Sequence, residues 1–162
     1  MPADNTPTKA YAALHESGHA VMARLQGLRL GPLKITGLGP SASGSVSVCG
    51  PPTPEESFKI LAAARICLNT FNINTVLDQG GFSDEGESRT ILDEIFPDDE
   101  NQQVRDDYTD RIDREVTELF EKPNILAAVR ALAEILTSAC EIDGLQAEAI
   151  IDRYLAAGTK TA

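Results

Sequence analysis

The segment His15-Glu16-Ser17-Gly18-His19 constrains the fold of this chain most strongly, because the chemistry of the segment requires a helix. On a helix, residues four apart lie one turn from each other on the same face, so His15 and His19 would project together. Two neutral imidazoles at this spacing can bind one zinc ion. The chain has only two histidines, and both lie in this segment. We therefore expect a helix here that carries a zinc site.

Glu16 is the candidate catalytic residue, because it lies beside the first of the two expected zinc ligands. A carboxylate in that position can reach a zinc-bound water and accept its proton. Catalytic zinc usually has three protein ligands and leaves one position for water. The sequence contains no third histidine, and thiolates are more typical of closed structural sites, so the third ligand is expected to be a carboxylate.

Six acidic residues are candidates for the third ligand: Glu55, Glu56, Asp78, Asp84, Glu85 and Glu87. Asp84 and Glu87 have a competing explanation, because Asp-x-x-Glu before an apolar run is close to a capping box. In that case Asp84 would only cap a helix that begins at Ser88. Glu55 or Glu56 would instead give a thermolysin-like arrangement on a separate helix. Chemistry and spacing leave these alternatives open.

The composition predicts one soluble domain with a mainly helical core. The chain has 162 residues, enough for a single domain with loose ends at 1–7 and 158–162. Hydrophobic residues make up 42% of the chain but aromatic residues only 5%, so the core must be mostly Ala, Leu, Ile and Val. Such a core favours closely packed helices.

Charge and cysteine content limit the partners and the compartment. The net charge of -11 makes nucleic-acid binding unfavourable, because phosphate backbones are repelled. The odd number of cysteines, with no C-x-x-C pair, indicates a reduced protein and hence a cytoplasmic location. No stretch approaches the roughly 20 apolar residues of a membrane span, so none is expected.

The order of the expected elements predicts a mainly α fold with a small two- or three-stranded sheet next to the zinc helix. Strand-like alternation occurs at 33–36 and 45–48, separated by a Gly/Pro/Ser-rich segment. The edge of this sheet could hold an extended substrate, or it could merely cover the helix. The sequence predicts a turn at 79–82 and helices over residues 8–26, from 53 or 54 to 77, 88–96, 102–121, 125–140 and 145–156.

Gly18 is an unusual residue for the middle of a helix, where it costs about 1 kcal/mol relative to alanine. Either the helix simply tolerates this glycine, or another backbone approaches closely at this position. The sequence does not distinguish between these two explanations.

The stretch from Ala13 to Ala23, A-L-H-E-S-G-H-A-V-M-A, resembles the zinc helix of the FtsH family of membrane-anchored, ATP-dependent zinc proteases. That family typically reads H-E-x-G-H-A, which Gly18 and Ala20 match. Its third ligand is an Asp in a Ser/Asn-Asp segment that opens a helix after a long apolar helix. Ser83-Asp84 lies in the corresponding place, so the resemblance implies that His15, His19 and Asp84 bind zinc.

The C-terminal part of the chain also resembles the closing helices of that family, from Val116 to Ala139 and then Ile142 to Leu145 before a last helix. The resemblance therefore implies a peptidase domain over nearly the whole chain. Three features depart from the family. The chain has no Walker motif or ATPase module and no membrane helix, and residues 64–70 lack an acidic pair that the family carries.

These features predict a zinc metalloendopeptidase that cleaves flexible or unfolded polypeptides through a zinc-activated water. A separate ATPase or a homo-oligomer could deliver the substrate, since the family forms hexameric rings. One alternative is a catalytically degenerate adaptor that binds zinc or peptide without turnover, although the intact Glu16 argues against it. A second alternative is a metallopeptidase of another clan, with Glu55 or Glu56 as the third ligand. The third is a helical interaction protein with incidental histidines.

Overall fold

A computed structural model describes residues 9–37, 42–71, 79–98 and 101–158 of the chain. The described part is mainly helical with a small antiparallel sheet, which confirms the predicted fold class. Its elements in chain order are α1 (Lys9–Leu25), β1 (Arg29–Thr36), β2 (Ser43–Cys49), α2 (Pro54–Thr70), α3 (Gln79–Ile95), α4 (Gln102–Phe120), α5 (Pro123–Ala139), β3 (Glu141–Ile142) and α6 (Gly144–Gly158).

Helix α1 runs through the core and packs against α2, α5 and the sheet. Its residues are buried from Tyr11 to Ala23, apart from Leu14. Ala13, Ala20 and Ala23 are fully buried, and their small side chains let neighbouring helices come close. The helix that carries both histidines is therefore held on several sides.

Gly18 marks the closest approach between α1 and α2. A Cβ atom on Gly18 would lie 3.1 Å from the Cα of Ala64, 3.1 Å from the Cβ of Cys67 and 3.3 Å from the carbonyl oxygen of Ala63. Because these neighbours are backbone or near-backbone atoms, they have little freedom to move away. The second explanation for this glycine, close approach by another backbone, is therefore confirmed.

Gly18→Ala is expected to lower the free energy of unfolding by about 1–2 kcal/mol, because overpacking the α1–α2 contact outweighs the gain in helix propensity. Chemical denaturation measures the change. Gly86→Ala is the matched control, since Gly86 lies in α3 with no atom within 4 Å of the added Cβ. That control is expected to gain up to about 1 kcal/mol. Equal stability of Gly18→Ala and the wild type would contradict the close packing.

The sheet has the order β2-β1-β3, with β1 antiparallel to both neighbours. Strands β1 and β2 pair with Lys34 opposite Ser45 and Ile35 opposite Gly44. Leu33 and Ile35 are buried on the face towards the helices. In this sheet β2 lies at an edge, beside α1. Both longer strands extend beyond the predicted 33–36 and 45–48.

Helix α6 fixes the first part of β1 through Glu148, which is only 7% exposed. The Glu148 carboxylate accepts hydrogen bonds from the backbone N–H of Leu30 at 2.8 Å and from Nε of Arg29 at 2.9 Å. The register of β1 against β2 is irregular between Leu30 and Leu33, so this carboxylate satisfies a donor where the ladder is interrupted. The hydrogen bond from Leu30 and the charge of Arg29 lower the pKa of Glu148 despite its burial.

The structure corrects the prediction for the segment before Asp84. The turn at 79–82 and the helix start at Ser88 are wrong, because α3 already begins at Gln79. Gly80 and Gly81 indicated a turn. Helix propensity is only a weak preference, however, and the N–H groups of the first helical turn have no intrahelical partner whichever residue is present. Partly buried Ile91 and Leu92 pack against the core and hold α3 in place.

The remaining helices match the predictions closely at most ends. Helix α2 begins at Pro54 behind the Thr53 cap, as predicted, but it ends at Thr70 instead of 77. Residues 72–78 lie outside the described part, as do 1–7 and 159–162 of the predicted loose ends 1–7 and 158–162, so the prediction is wrong only at position 158 among the described residues. Helix α6 includes Gly158. No helix in the described ranges combines the length and apolar character needed to cross a membrane.

Candidate metal centre

Three donor atoms from two helices converge on one point. The Nε2 atoms of His15 and His19 are 3.1 Å apart, and Oδ2 of Asp84 lies 2.9 Å from the first and 3.2 Å from the second. Ligand atoms in a tetrahedral zinc site with bonds of about 2.0–2.1 Å are about 3.3 Å apart. The spacing of the three atoms therefore fits one zinc ion. Among the described residues, this trio is the group of donor atoms that could hold a metal ion.

The trio depends on the position of Asp84 inside α3. Asp84 lies in the second turn of the helix that begins at Gln79, so it cannot be the N-terminal cap of a helix starting at Ser88. Its carboxylate instead faces the histidines of α1. The capping explanation for Asp84 is therefore wrong, and the tertiary packing of α3 brings the carboxylate to the histidine pair.

A backbone carbonyl orients the His19 ring. Nδ1 of His19 lies 2.8 Å from the carbonyl oxygen of Ile60, and since that oxygen only accepts, Nδ1 must donate. A neutral His19 therefore carries its lone pair on Nε2, the atom that faces His15 and Asp84. Ligating histidines usually donate their second N–H in this way.

The His15 ring has different support. Its Nδ1 atom is buried and has no hydrogen-bond partner in the described part of the chain. The ring lies against Tyr11, one turn earlier on α1, with centroids 6.4 Å apart and planes inclined by 25°. It meets His19 edge to face at 4.7 Å. This packing holds the His15 ring so that its Nε2 atom faces Nε2 of His19 and the carboxylate of Asp84.

Glu16 is buried beside the trio, with 7% of its surface exposed. Burial raises the pKa of its carboxyl group, the charges of His19 and His15 oppose the increase, and the charge of Asp84 adds to it. A carboxylate with a raised pKa is a stronger base. The side chain predicted to accept a proton therefore has an environment that favours this role.

Asp84 and His19 shift each other's proton affinity. Burial alone would raise the pKa of Asp84, but hydrogen bonds with His15 and His19 outweigh burial and hold that pKa well below its usual range. Burial alone would lower the pKa of His19, but the hydrogen bond to Asp84 and the charge of Glu16 outweigh it, and the pKa is raised. Asp84 is therefore an anion at neutral pH, as a zinc ligand must be.

The donor types also fit zinc. Two imidazole nitrogens and one carboxylate oxygen form the ligand class found in zinc hydrolases that keep a position for water. The Asp84 side chain is 23% exposed, whereas those of His15 and His19 are 9% and 7% exposed. Asp84 is therefore the most solvent-accessible of the three side chains. The Cys67 thiol does not belong to this group of donor atoms, and burial raises the pKa of the thiol to about 12.

The other acidic candidates are engaged elsewhere or exposed. Glu56 forms a capping box with Thr53, and Glu55 pairs with Lys59 at 3.2 Å. Glu85 pairs with Arg89 at 2.8 Å, and Glu87 is exposed. Asp78 lies outside the described residues. Of the described candidates, the structure brings Asp84 to the histidines.

Sequence reasoning missed Gly44 as a residue of this site. A Cβ atom on Gly44 would overlap the Cγ of Glu16 and lie 2.8 Å from its Cδ and Oε1 atoms. The sequence placed Gly44 in the Gly/Pro/Ser-rich segment before the predicted strand at 45–48, and only the longer β2 of the structure makes it a strand glycine, a residue that often marks close approach of another group. The carbonyl of Ile60 left no signal, because any residue supplies such a group.

No family model matches this chain, and no curated protein matches it either. The resemblance of the zinc helix to the FtsH family therefore rests on the residues of the motif, above all Gly18 and Ala20. The geometry of His15, His19 and Asp84 does not depend on that resemblance.

Proposed function

We propose that this protein is a zinc metalloendopeptidase that hydrolyses peptide bonds of flexible or unfolded polypeptides. The observation that carries the proposal is the convergence of His15, His19 and Asp84 beside the buried carboxylate of Glu16. Zinc ligands without an adjacent base would suit a structural site equally well. A buried base next to three ligands is the arrangement that hydrolysis requires.

Each side chain has a defined role in the proposed reaction. His15, His19 and Asp84 would hold zinc, which when bound lowers the pKa of water and polarises a carbonyl group. Glu16 accepts a proton from the attacking water and passes it to the leaving amine. The hydrogen bond from His19 to the carbonyl of Ile60 keeps its ring in the ligating orientation.

The edge of β2 that has no neighbouring strand among the described residues, called the free edge below, is the proposed binding site for the substrate backbone. The N–H of Ile35 donates to the carbonyl of Cys140 at 2.7 Å, on the side of β1 away from β2. Paired residues of an antiparallel ladder direct their N–H and C=O groups either towards each other or both away from each other. Since Ile35 faces away from β2, its partner Gly44 directs its own N–H and C=O away from β1, and Val46, two residues later, does the same. An extended peptide can pair with these groups next to Glu16. A flexible or unfolded chain can adopt that conformation.

Zinc uptake and cleavage of casein, a flexible protein, test the proposal. The purified protein is expected to bind one zinc ion per chain and to cleave casein, to lose cleavage with a chelator and to regain it when zinc is restored. Absence of zinc uptake would overturn the proposal in favour of a helical interaction protein. Zinc uptake without cleavage would favour the degenerate adaptor, against which the intact Glu16 argues.

The proposed partners follow the same reasoning. Since flexible chains are the substrate, a folded substrate would need a separate ATPase or an assembly of several copies to unfold it. The net charge of -11 disfavours nucleic acid as a partner.

A cytoplasmic location is supported by the three cysteines, all of which are free thiols, as in a reducing compartment. We also propose that the protein is related to the FtsH proteases, because its residues 13–23 resemble their zinc helix.

A further inference from the structure

The edge strand β2 lies directly against the proposed base. The backbone at Gly44 is so close to Glu16 that an added Cβ would overlap its Cγ and lie 2.8 Å from Cδ and Oε1. Glu16 is 7% exposed and belongs to the middle of a buried helix. Because α1 fixes the Glu16 backbone, β2 forms a wall that limits where the carboxylate can point.

Gly44 also contributes to the free edge of the sheet. It lies opposite Ile35, whose N–H donates to Cys140 just before β3. The backbone groups of Gly44 are therefore directed to the side where β2 has no neighbour among the described strands. One residue thus contacts the base with its Cα and offers hydrogen-bonding groups to a paired peptide. The distance from the base to such a peptide depends on this residue.

We propose that Gly44 is a positioning residue for the hydrolytic reaction: its missing side chain lets β2 rest against Glu16 and sets the base at a fixed distance from a peptide on the free edge. This inference rests on the proposed function. Glycine weakens a strand, so its presence in an edge strand needs such a reason. Any larger residue must displace either the strand or the carboxylate, and both changes alter the distance between base and peptide.

The effect of such a displacement on rate is large. Misplacing a reacting group by about 1 Å can reduce the rate about 100-fold. The zinc ligands would be affected much less, because the three atoms nearest to a Cβ at Gly44 all belong to Glu16 and none to His15, His19 or Asp84. Loss of turnover with retained zinc affinity is therefore the signature of this role.

Gly31 offers a matched control in the same sheet. A Cβ on Gly31 would lie 2.8 Å from the Cβ of Ser47, so Gly31→Ala crowds the β1–β2 pair, and the three atoms nearest to the added Cβ all belong to Ser47. Both glycine substitutions strain the sheet, but Gly44→Ala alone contacts the base. A general weakening of the sheet would affect the two variants alike.

The test compares Gly44→Ala and Gly31→Ala with the wild type for kcat and KM on a flexible peptide and for zinc affinity by chelator competition. Gly44→Ala is expected to lower kcat about 100-fold, while zinc affinity stays within about threefold. Gly31→Ala is expected to keep kcat within about threefold of the wild type. Unchanged kcat in folded Gly44→Ala, or equal losses in both variants, would overturn the inference.

Two further measurements separate this inference from the proposed function. Carbon-13 resonances of the Glu16 side chain, assigned with Glu16→Gln, are expected to shift in Gly44→Ala and not in Gly31→Ala, whether or not the protein is active. A wild type that cleaves nothing would overturn the proposed function, whereas unshifted resonances would overturn the role of Gly44. If Gly44→Ala does not fold, adding Glu16→Ala removes the obstructing Cγ and should restore folding; failure to do so would overturn the contact.

Discussion

Glu16→Gln is expected to keep zinc and to lose peptide cleavage by about 10²–10⁴-fold, the usual contribution of a general base. Glutamine has nearly the shape of glutamate, so the packing against β2 at Gly44 is retained. Its amide cannot accept a proton from water, whereas the Glu16 carboxylate is made more basic by burial. The variant therefore separates the base from the ligands.

The measurement combines zinc content with initial rates of casein cleavage. Glu87→Gln is the matched control, because Glu87 is an exposed carboxylate on α3 one turn after Asp84. Like Glu16→Gln, Glu87→Gln removes one negative charge. It is expected to leave both the zinc content and the cleavage rate within about twofold of the wild type, because surface substitutions usually have small effects. Cleavage at the wild-type rate in Glu16→Gln would remove Glu16 from the role of base.

Asp84→Asn is expected to weaken zinc binding by at least about 100-fold, since loss of a mere outer-shell partner already costs about 10–100-fold. The substitution removes the negative charge that faces both imidazoles at 2.9 and 3.2 Å. It also removes the hydrogen bond that raises the pKa of His19. Competition with a chromophoric chelator measures the affinity.

Zinc binding is also expected to protect the first half of α3 from hydrogen exchange. Helix α3 packs mainly on α2, and none of its residues with described side chains is fully buried. Asp84 connects it to α1, so a bound ion would add a strong bond between the two helices. Amide exchange with and without zinc measures this protection, which Asp84→Asn should abolish.

Glu55→Gln tests the thermolysin-like alternative with the same assays. Glu55 pairs with Lys59 and Arg111 on the surface of α2 and α4, away from the trio. Its substitution is expected to leave zinc affinity unchanged, because exposed ion pairs contribute little. Full zinc content in Asp84→Asn combined with loss in Glu55→Gln would contradict the ligand set proposed here.

The sequence predicted the parts of this fold that depend on local spacing. The helix through His15 and His19 begins and ends within one residue of the prediction. Helix α2 begins at Pro54, within the start predicted at 53 or 54, and helices α4 to α6 follow their apolar periodicity. Such features arise from contacts between residues a few positions apart, which the sequence displays directly.

The start of α3 shows where local reasoning failed. Gly80 and Gly81 indicated a turn at 79–82, yet α3 includes both residues. Packing of Ile91 and Leu92 against the core compensates for the weak propensity. Because the predicted helix began too late, Asp84 was a plausible cap for it, a role that its true position inside α3 excludes.

The pair of histidines with its neighbouring carboxylate was determined by the sequence alone, because a repeat of 3.6 residues places His15 and His19 on one face whatever surrounds them. The third donor was decided by tertiary structure, since six acidic residues qualified chemically and only packing of α3 on α2 brings Asp84 to the pair. The same holds for the carbonyl of Ile60 and for Gly44, which reach the site because α2 and β2 pack against α1. Spacing along one helix is a local property. The positions of Asp84, the Ile60 carbonyl and Gly44 depend instead on how α3, α2 and β2 pack around α1.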